Sequence, residues 1–118
     1  MTTSEIKEQD LTTEITTKAN IIDAIDCKQA LLFSYNKDVS ANKPRKIYPH
    51  NFYWRGKKLM LDAFQVSGDS LTGNVQTFKQ FDVSLIKDCI IIDESFEVQT
   101  GYNGKSDRYN NSICGVIN

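Results

Sequence analysis

The chain has 118 residues, of which 40% are hydrophobic, and its 14 Lys and Arg nearly balance its 15 Asp and Glu. This length suits one globular domain with a single modest core. The net charge of -1 argues against a generally basic nucleic-acid-binding protein. No apolar run approaches the roughly 20 residues that a membrane helix requires, which excludes a membrane-spanning protein.

Residues 1–17 are predicted to form a polar N-terminal extension, because they include six threonines and four acids but no apolar run. The stretch has the features neither of a signal peptide nor of a membrane anchor, so we expect a cytoplasmic protein. We place a single domain at residues 18–118. Cys27, Cys89 and Cys114 are odd in number and form no CxxC pair, which predicts reduced thiols rather than disulfides.

The domain is predicted to open with a short helix, which Asn20 can cap and which ends near Cys27 or Lys28. From Leu31 the hydrophobic period changes to two, as in a strand with one buried side. Residues 36–44 then form a polar loop.

Two further strands, Arg45–Trp54 and Leu59–Val66, are predicted to form a hairpin, because Gly56 between them can adopt the positive φ of a tight turn. In the second strand Leu59, Leu61, Ala63 and Gln65 share the face that we assign to the core. Asp62 points to the other face and needs solvent or a partner there. Turn residues follow over 67–73, and strands are predicted over 74–81 and 89–93.

At the C-terminal end Ser106 can cap a helix, in which Tyr109, Ile113, Val116 and Ile117 form one apolar stripe. Together these elements predict a mainly β fold, a small barrel with a helix at each end. The alternative is a sheet packed on two helices.

The chemistry of common active sites is absent from the sequence. His50 is the single histidine, and no two cysteines have the spacing of zinc ligands. No nucleophile elbow and no phosphate-binding glycine loop occur. Asp93 and Glu94 could form an acid pair, but adjacent carboxylates at a strand end are usually solvated. We therefore predict no metal, no cofactor and no catalysis.

Residues 41–60 contain six bases and no acid, and the aromatic residues Tyr48, Phe52, Tyr53 and Trp54 lie among them. This pattern fits either a solvated hairpin or a surface on which a ligand stacks. Trp54 comes directly before the turn, where we expect it to cap the core, with a stacking platform as the alternative.

Four segments in order resemble the WYL domain, a small barrel of the Sm/SH3-like kind with about five strands that occurs in bacterial regulators. Ala30–Tyr35 looks like its first strand, and Arg45–His50 resembles its strand with the pattern R, apolar, x, Pro. Leu61–Phe64 falls where the family continues from its naming tripeptide, and Lys79–Ile86 parallels the closing R-x-F-x-L-x-R-I element.

The resemblance is divergent, since the tripeptide is Leu59-Met60-Leu61 here and Lys79 and Leu85 replace the two arginines of the closing element. Short stand-alone WYL-like proteins of bacteria are a closer match, through Pro49-His50, the stretch 63–65, Gly68, Gly73 and a terminal helix like 109–117. Upstream of Ala30 there is room for one helix, not for the helix-turn-helix domain to which WYL domains are usually joined.

The resemblance implies a regulatory module that senses a ligand, either single-stranded nucleic acid or a nucleotide-like small molecule. Carried over by position, the candidate ligand-binding residues are Tyr35, Arg45 and Lys79, joined by His50 and Gln65 from the stand-alone subgroup. An arginine fork, a lysine charge and a tyrosine ring suit a phosphate with an attached ring. Arg45, His50 and Tyr35 have a structural alternative, as braces and core of the barrel.

Two other functions stay open at this point. One is a structural or partner-binding protein that dimerises, or binds a regulatory protein, through the apolar stripe of the last helix or an open sheet edge. The other is a hydrolase that uses Asp93, Glu94 or His50.

Overall fold

The computed structural model describes residues 3–35, 44–68 and 76–117, with side chains from Glu14 onward. Short 3-10 turns lie at Val83–Leu85 and Asp107–Tyr109. The longer elements in chain order are α1 (Thr3–Cys27), β1 (Gln29–Tyr35), β2 (Arg45–Arg55), β3 (Lys58–Ser67), β4 (Thr77–Asp82), β5 (Ile86–Ser95) and β6 (Ser112–Gly115).

The six strands form one antiparallel sheet with the order β4-β3-β2-β1-β5. β1 pairs with the first part of β2, and β6 pairs with its second part on the same side. Across the described ranges no pairing joins β4 to β5, so the sheet is open. The predicted mainly β fold is confirmed, whereas its closure into a barrel is not.

The predicted hairpin is confirmed. β2 and β3 pair from Lys46 to Arg55, and the last pair, Arg55 with Lys58, closes a two-residue turn. Gly56 in this turn has a φ of 61°, the left-handed conformation that glycine adopts at least cost. The predicted polar loop over 36–43, and the predicted turn and strand start over 69–75, lie outside the described residues.

Helix α1 ends where the sequence predicted, but its predicted start at Asn20 is wrong, because the helix begins at Thr3. Residues 1–27 contain no proline or glycine, so nothing in the upstream stretch stops the helix. Thr17, Ile21, Ala24 and Ile25 are buried at helical spacing. The Asn20 amide donates to the carbonyl of Cys89 at 2.9 Å, so this residue ties the helix to β5.

Helix α1 covers one side of the sheet, which we call the inner face. Ile21 and Ile25 pack there against side chains that alternate along the strands, among them Leu31, Phe33, Ile47, Phe52, Leu61, Ala63 and Phe81. The predicted core face of β3 is thereby confirmed for Leu61 and Ala63. We call the opposite side the outer face, and the segment 96–111 packs against it through Phe96, Tyr102 and Tyr109.

The predicted C-terminal helix is wrong. Ser106 does accept a backbone hydrogen bond from Arg108, but the helix is a single 3-10 turn, and residues 112–115 form β6. Asn110 and Asn111 follow that turn, and pairing with β2 gives β6 the backbone hydrogen bonds that a helix would have made. Ile113 and Ile117 are 46% and 82% exposed while Val116 is buried, so these residues do not form the stripe predicted for a dimer.

Among the described residues, no helix has the length and apolar character needed to cross a membrane.

Gly68 marks a close approach between the end of β3 and the start of β2. Its φ is 103°, and a Cβ there would collide with the Pro44 carbonyl oxygen and the Cα of Arg45. Gly56 has a similar φ but open space around the position of a Cβ.

These two glycines form a matched pair for substitution by alanine. We expect Gly56→Ala to lower the free energy of unfolding by about 1 kcal/mol from backbone strain alone, and Gly68→Ala to lower it by about 3 kcal/mol because a collision adds to the strain. Urea unfolding of the three proteins measures the difference. A Gly68→Ala protein as stable as Gly56→Ala would contradict the close approach.

Candidate functional site

At one end of the inner face, the sheet brings together an arginine and two aromatic rings. Arg45 is the first residue of β2 and is only 5% exposed. Its guanidinium carbon lies 5.1 Å from the centroid of the Tyr35 ring and 5.9 Å from that of Phe81. Both distances are those of cation–π contacts, which hold the charge close to the core.

Gln65 and Lys79 approach the same guanidinium from the neighbouring strands. Gln65 is fully buried, and its Oε1 accepts a hydrogen bond of 3.5 Å from Nη1 of Arg45. Lys79 pairs with Ala63 across β3 and β4, which puts it on the same face as Gln65. Burial lowers the pKa of Lys79, and the positive charge of Arg45 lowers it further. Two cationic side chains therefore lie on the same face, close enough for the charge of one to affect the pKa of the other.

Tyr35 is held in this group by a hydrogen bond and a ring contact. Its side chain is 7% exposed, and its hydroxyl accepts a hydrogen bond of 2.8 Å from the backbone N–H of Asp82. Its ring meets that of Phe81 edge to face, with 5.0 Å between the centroids. Burial raises the pKa of the Tyr35 hydroxyl, which therefore stays protonated at neutral pH. We call this group the Arg45 cluster: Tyr35, Arg45, Gln65, Lys79 and Phe81.

The Arg45 cluster contains four of the five residues that the sequence singled out. Phe81 was missed as a member, although its place two residues after Lys79 on β4 puts both on one face. Chemically, the cluster offers a planar fork of donors and an ammonium group beside aromatic rings. Guanidinium and ammonium groups are the donors that most often bind anions in proteins.

The fifth residue, His50, lies elsewhere. It packs edge to face on Phe78, and Phe78 and Lys79 are successive residues of β4, so His50 is on the outer face. The side chain is fully buried. Its Nδ1 lies 2.8 Å from the carbonyl oxygen of Tyr48, and its Nε2 accepts a 3.0 Å bond from the N–H of Gln99. This pair of bonds requires the neutral ring with its proton on Nδ1.

The outer face also holds a buried carboxylate. Asp62 is 3% exposed and accepts hydrogen bonds from the hydroxyls of Tyr53 and Tyr109, each at 2.8 Å, and from Arg108 at 3.2 Å. These bonds fasten the segment 96–111 to the hairpin. Asp62 thus has the partner that its place on a core strand required, although the sequence did not show which residues supply it.

The acids considered for catalysis are engaged or exposed. The Glu94 carboxylate accepts from Lys46 at 2.9 Å and from the Tyr48 hydroxyl at 2.8 Å, and Asp93 is exposed. Cys27, Cys89 and Cys114 are free thiols, and burial raises the pKa of Cys89 to about 12. Within the described part of the chain, no three His, Cys, Asp or Glu residues are grouped so as to hold a metal ion.

No protein-family model and no curated protein matches the chain. Among solved structures, it is similar to the proteasome accessory factor B/C (PafBC) of Arthrobacter aurescens, with a TM-score of 0.60 and 16% sequence identity. The match covers 74% of this chain but only 13% of that protein. At this identity the likeness concerns the fold.

The buried His50 predicts how stability depends on pH. Burial lowers the pKa of His50 below its ordinary 6.5, so the unfolded chain takes up a proton at a higher pH than the folded one. The stabilisation is complete above about pH 6.5 and is lost as the pH falls below it, by at most about 1.4 kcal/mol per pH unit.

Urea unfolding between about pH 7.5 and pH 5.5 tests this prediction, because this pH range lies above the range in which carboxylates titrate. We expect the free energy of unfolding to fall with decreasing pH in the unmodified protein and to stay nearly constant in His50→Gln. An equal fall in both proteins would contradict a neutral, buried His50.

Proposed function

We propose that this protein is a WYL-type regulatory module that senses a ligand at the Arg45 cluster and catalyses no reaction. The ligand is an anion that carries a ring, of the nucleotide kind. The single observation that carries the proposal is the guanidinium of Arg45, held against two aromatic rings on the same face of the sheet as Lys79. Two other lines support it. The sequence resembles the WYL domain at these positions, and the fold is similar to part of PafBC, a WYL-domain-containing regulator.

Arg45 and Lys79 lie on the same face of the sheet, and the pKa of Lys79 is lowered first by burial and second by the positive charge of Arg45. In this proposal a bound phosphate is attracted by both groups, and the attraction is stronger where water is partly excluded.

In this proposal the ring of the ligand lies at the Tyr35 side of the Arg45 cluster. The hydrogen bond from Asp82 and the edge-to-face contact with Phe81 fix the Tyr35 ring before a ligand arrives. A site whose groups are already held in position loses little entropy on binding. Gln65 has a supporting role in this proposal, because its Oε1 orients the guanidinium.

His50 is not among the proposed ligand contacts. Both of its ring nitrogens are bonded to backbone groups, and the side chain is on the outer face. It acts as a brace between β2 and the segment after β5. The engaged Glu94 and the exposed Asp93 likewise favour a binding module over a hydrolase.

The proposal predicts that Lys79→Gln weakens the binding of ATP or of single-stranded oligodeoxythymidine at low salt by about tenfold, through the loss of one charge-assisted contact. Resonance shifts of the Arg45 side-chain N–H in NMR titrations report binding at this place. Arg45→Lys keeps the charge but loses the fork, so it retains part of the affinity.

Lys105→Gln is the matched control, since Lys105 is an exposed lysine in the loop after Gly104. The affinity of this variant for the probes should equal that of the unmodified protein. Circular dichroism checks that each variant is folded. The proposal is wrong if neither probe shifts the Arg45 resonance at low salt, or if Lys79→Gln binds as tightly as the control.

A further inference from the structure

A second concave region lies on the inner face at the other end of β2. This groove, with a volume of about 720 Å³, runs between α1, the turn of the β2–β3 hairpin and the stretch from Asp82 to Lys87. Its size is within the range of small-molecule sites. We call it the Trp54 groove. Arg45 and Trp54 lie at opposite ends of β2, so this groove is separate from the Arg45 cluster.

The Trp54 groove has an exposed aromatic wall. Trp54 is 42% exposed, and it is the one aromatic ring among the large exposed hydrophobic residues of the described part of the chain. This exposure leaves much of the indole in solvent, whereas the sequence favoured a cap on the core over a stacking platform. The backbone of Trp54 is fixed on both sides, by pairing with Leu59 and by the bond of its N–H to the Asn111 carbonyl at 3.1 Å. An indole that is partly exposed to solvent and carried by a fixed backbone is suited to stacking.

Lysines from three separate elements line the same groove: Lys18 on α1, Lys57 and Lys58 at the hairpin turn, and Lys87 on β5. Two of them face the acids of the groove. Lys18 is 3.1 Å from Glu14, and Lys58 is 3.9 Å from Asp82. Exposed pairs of this kind contribute little free energy, so they do not close the groove to an anion.

Lys57 and Lys87 differ from the other two. Among the described residues, neither takes part in an ion pair. The Asp82 carboxylate is held by the N–H and the hydroxyl of Ser84, at 3.0 and 2.7 Å, and these bonds lower its pKa. The groove therefore keeps an excess of positive charge next to the indole.

We infer that the Trp54 groove binds one nucleotide unit, whose base stacks on Trp54 and whose phosphate lies between Lys57 and Lys87. Leu59, Val83 and Ile86 supply apolar surface beside the ring. The unit can be a free nucleotide or one residue of a single strand, because both present the same base and phosphate. An acidic peptide would satisfy the lysines but would leave the indole without a stacking partner.

Trp54 is the single tryptophan of the chain, so its fluorescence reports on this groove directly. We expect saturable quenching by ATP at low salt if free nucleotides bind, and by oligodeoxythymidine alone if the groove needs a strand. For a strand, affinity falls with salt by about 0.7 logarithmic units per unit of log salt for each phosphate contacted. Absence of quenching by both probes overturns the inference.

Two further probes test the chemistry. Inorganic tripolyphosphate carries charge without a base, and polyglutamate stands for an acidic peptide. Both should compete for the groove at least about tenfold more weakly than the better nucleic-acid probe, since they lack base stacking. If either competes equally well, the groove is a general anion site and the inference is wrong.

Variants separate this groove from the Arg45 cluster. Lys57→Gln combined with Lys87→Gln should weaken quenching by about tenfold or more, while Lys105→Gln and Lys79→Gln leave it unchanged. Trp54→Ala, followed by calorimetry, should lose about tenfold as well. Loss of quenching in Lys79→Gln, with no effect of the paired groove variants, would place the ligand at the Arg45 cluster instead.

Discussion

The arrangement of the molecule depends on the long strand β2, which pairs with β3 along its length and with β1 and β6 in succession on its other side. Between Pro49 and Asn51 the register with β3 shifts by one residue at His50. This bulge moves the inward positions from Arg45 and Ile47 to Phe52 and Trp54. One strand thus supplies the inner face at both ends, with a cation at its start and an indole at its end.

The two faces of the sheet differ in how their polar and charged groups are placed. On the outer face the polar groups are paired inside the protein, Asp62 with two tyrosines and an arginine, and His50 with two backbone groups. Buried polar groups satisfied in this way fix one arrangement of the segment 96–111. On the inner face, charged groups lie beside aromatic rings, at the Arg45 cluster and at the Trp54 groove.

Much of the fold follows from short-range signals. The alternation of Leu31, Phe33 and Tyr35 correctly predicts β1, because burial on one face imposes a period of two. The glycine of the hairpin turn correctly predicts that β2 and β3 pair. The same signals fail at both ends of the chain. The helix continues upstream through polar residues that do not stop it, although they form no helical pattern of their own. The stretch 112–115 is a strand because it pairs with β2, and no local pattern in the sequence predicts this pairing.

The site shows a similar division. Arg45 and Lys79 could be selected from the two WYL segments that they resemble. His50, taken from the stand-alone subgroup, is five residues after Arg45, so the period of two along β2 already places it on the other face. The inward position of Trp54, in contrast, depends on the bulge in β2, which is a property of two strands together. The sequence gives no signal for Lys87, since only the three-dimensional fold brings this residue of β5 into one groove with Trp54.

The proposed ligand site depends on the closeness of Arg45 and Lys79 in a partly dehydrated place, and the pKa of the Lys79 ammonium group reports on both the closeness and the burial. An NMR titration of the lysine side chains should show that Lys79 loses its proton below the ordinary lysine value of 10.5, and that its pKa rises in Arg45→Gln. A Lys79 that titrates at the ordinary value, with no response to the removal of Arg45, would contradict the account.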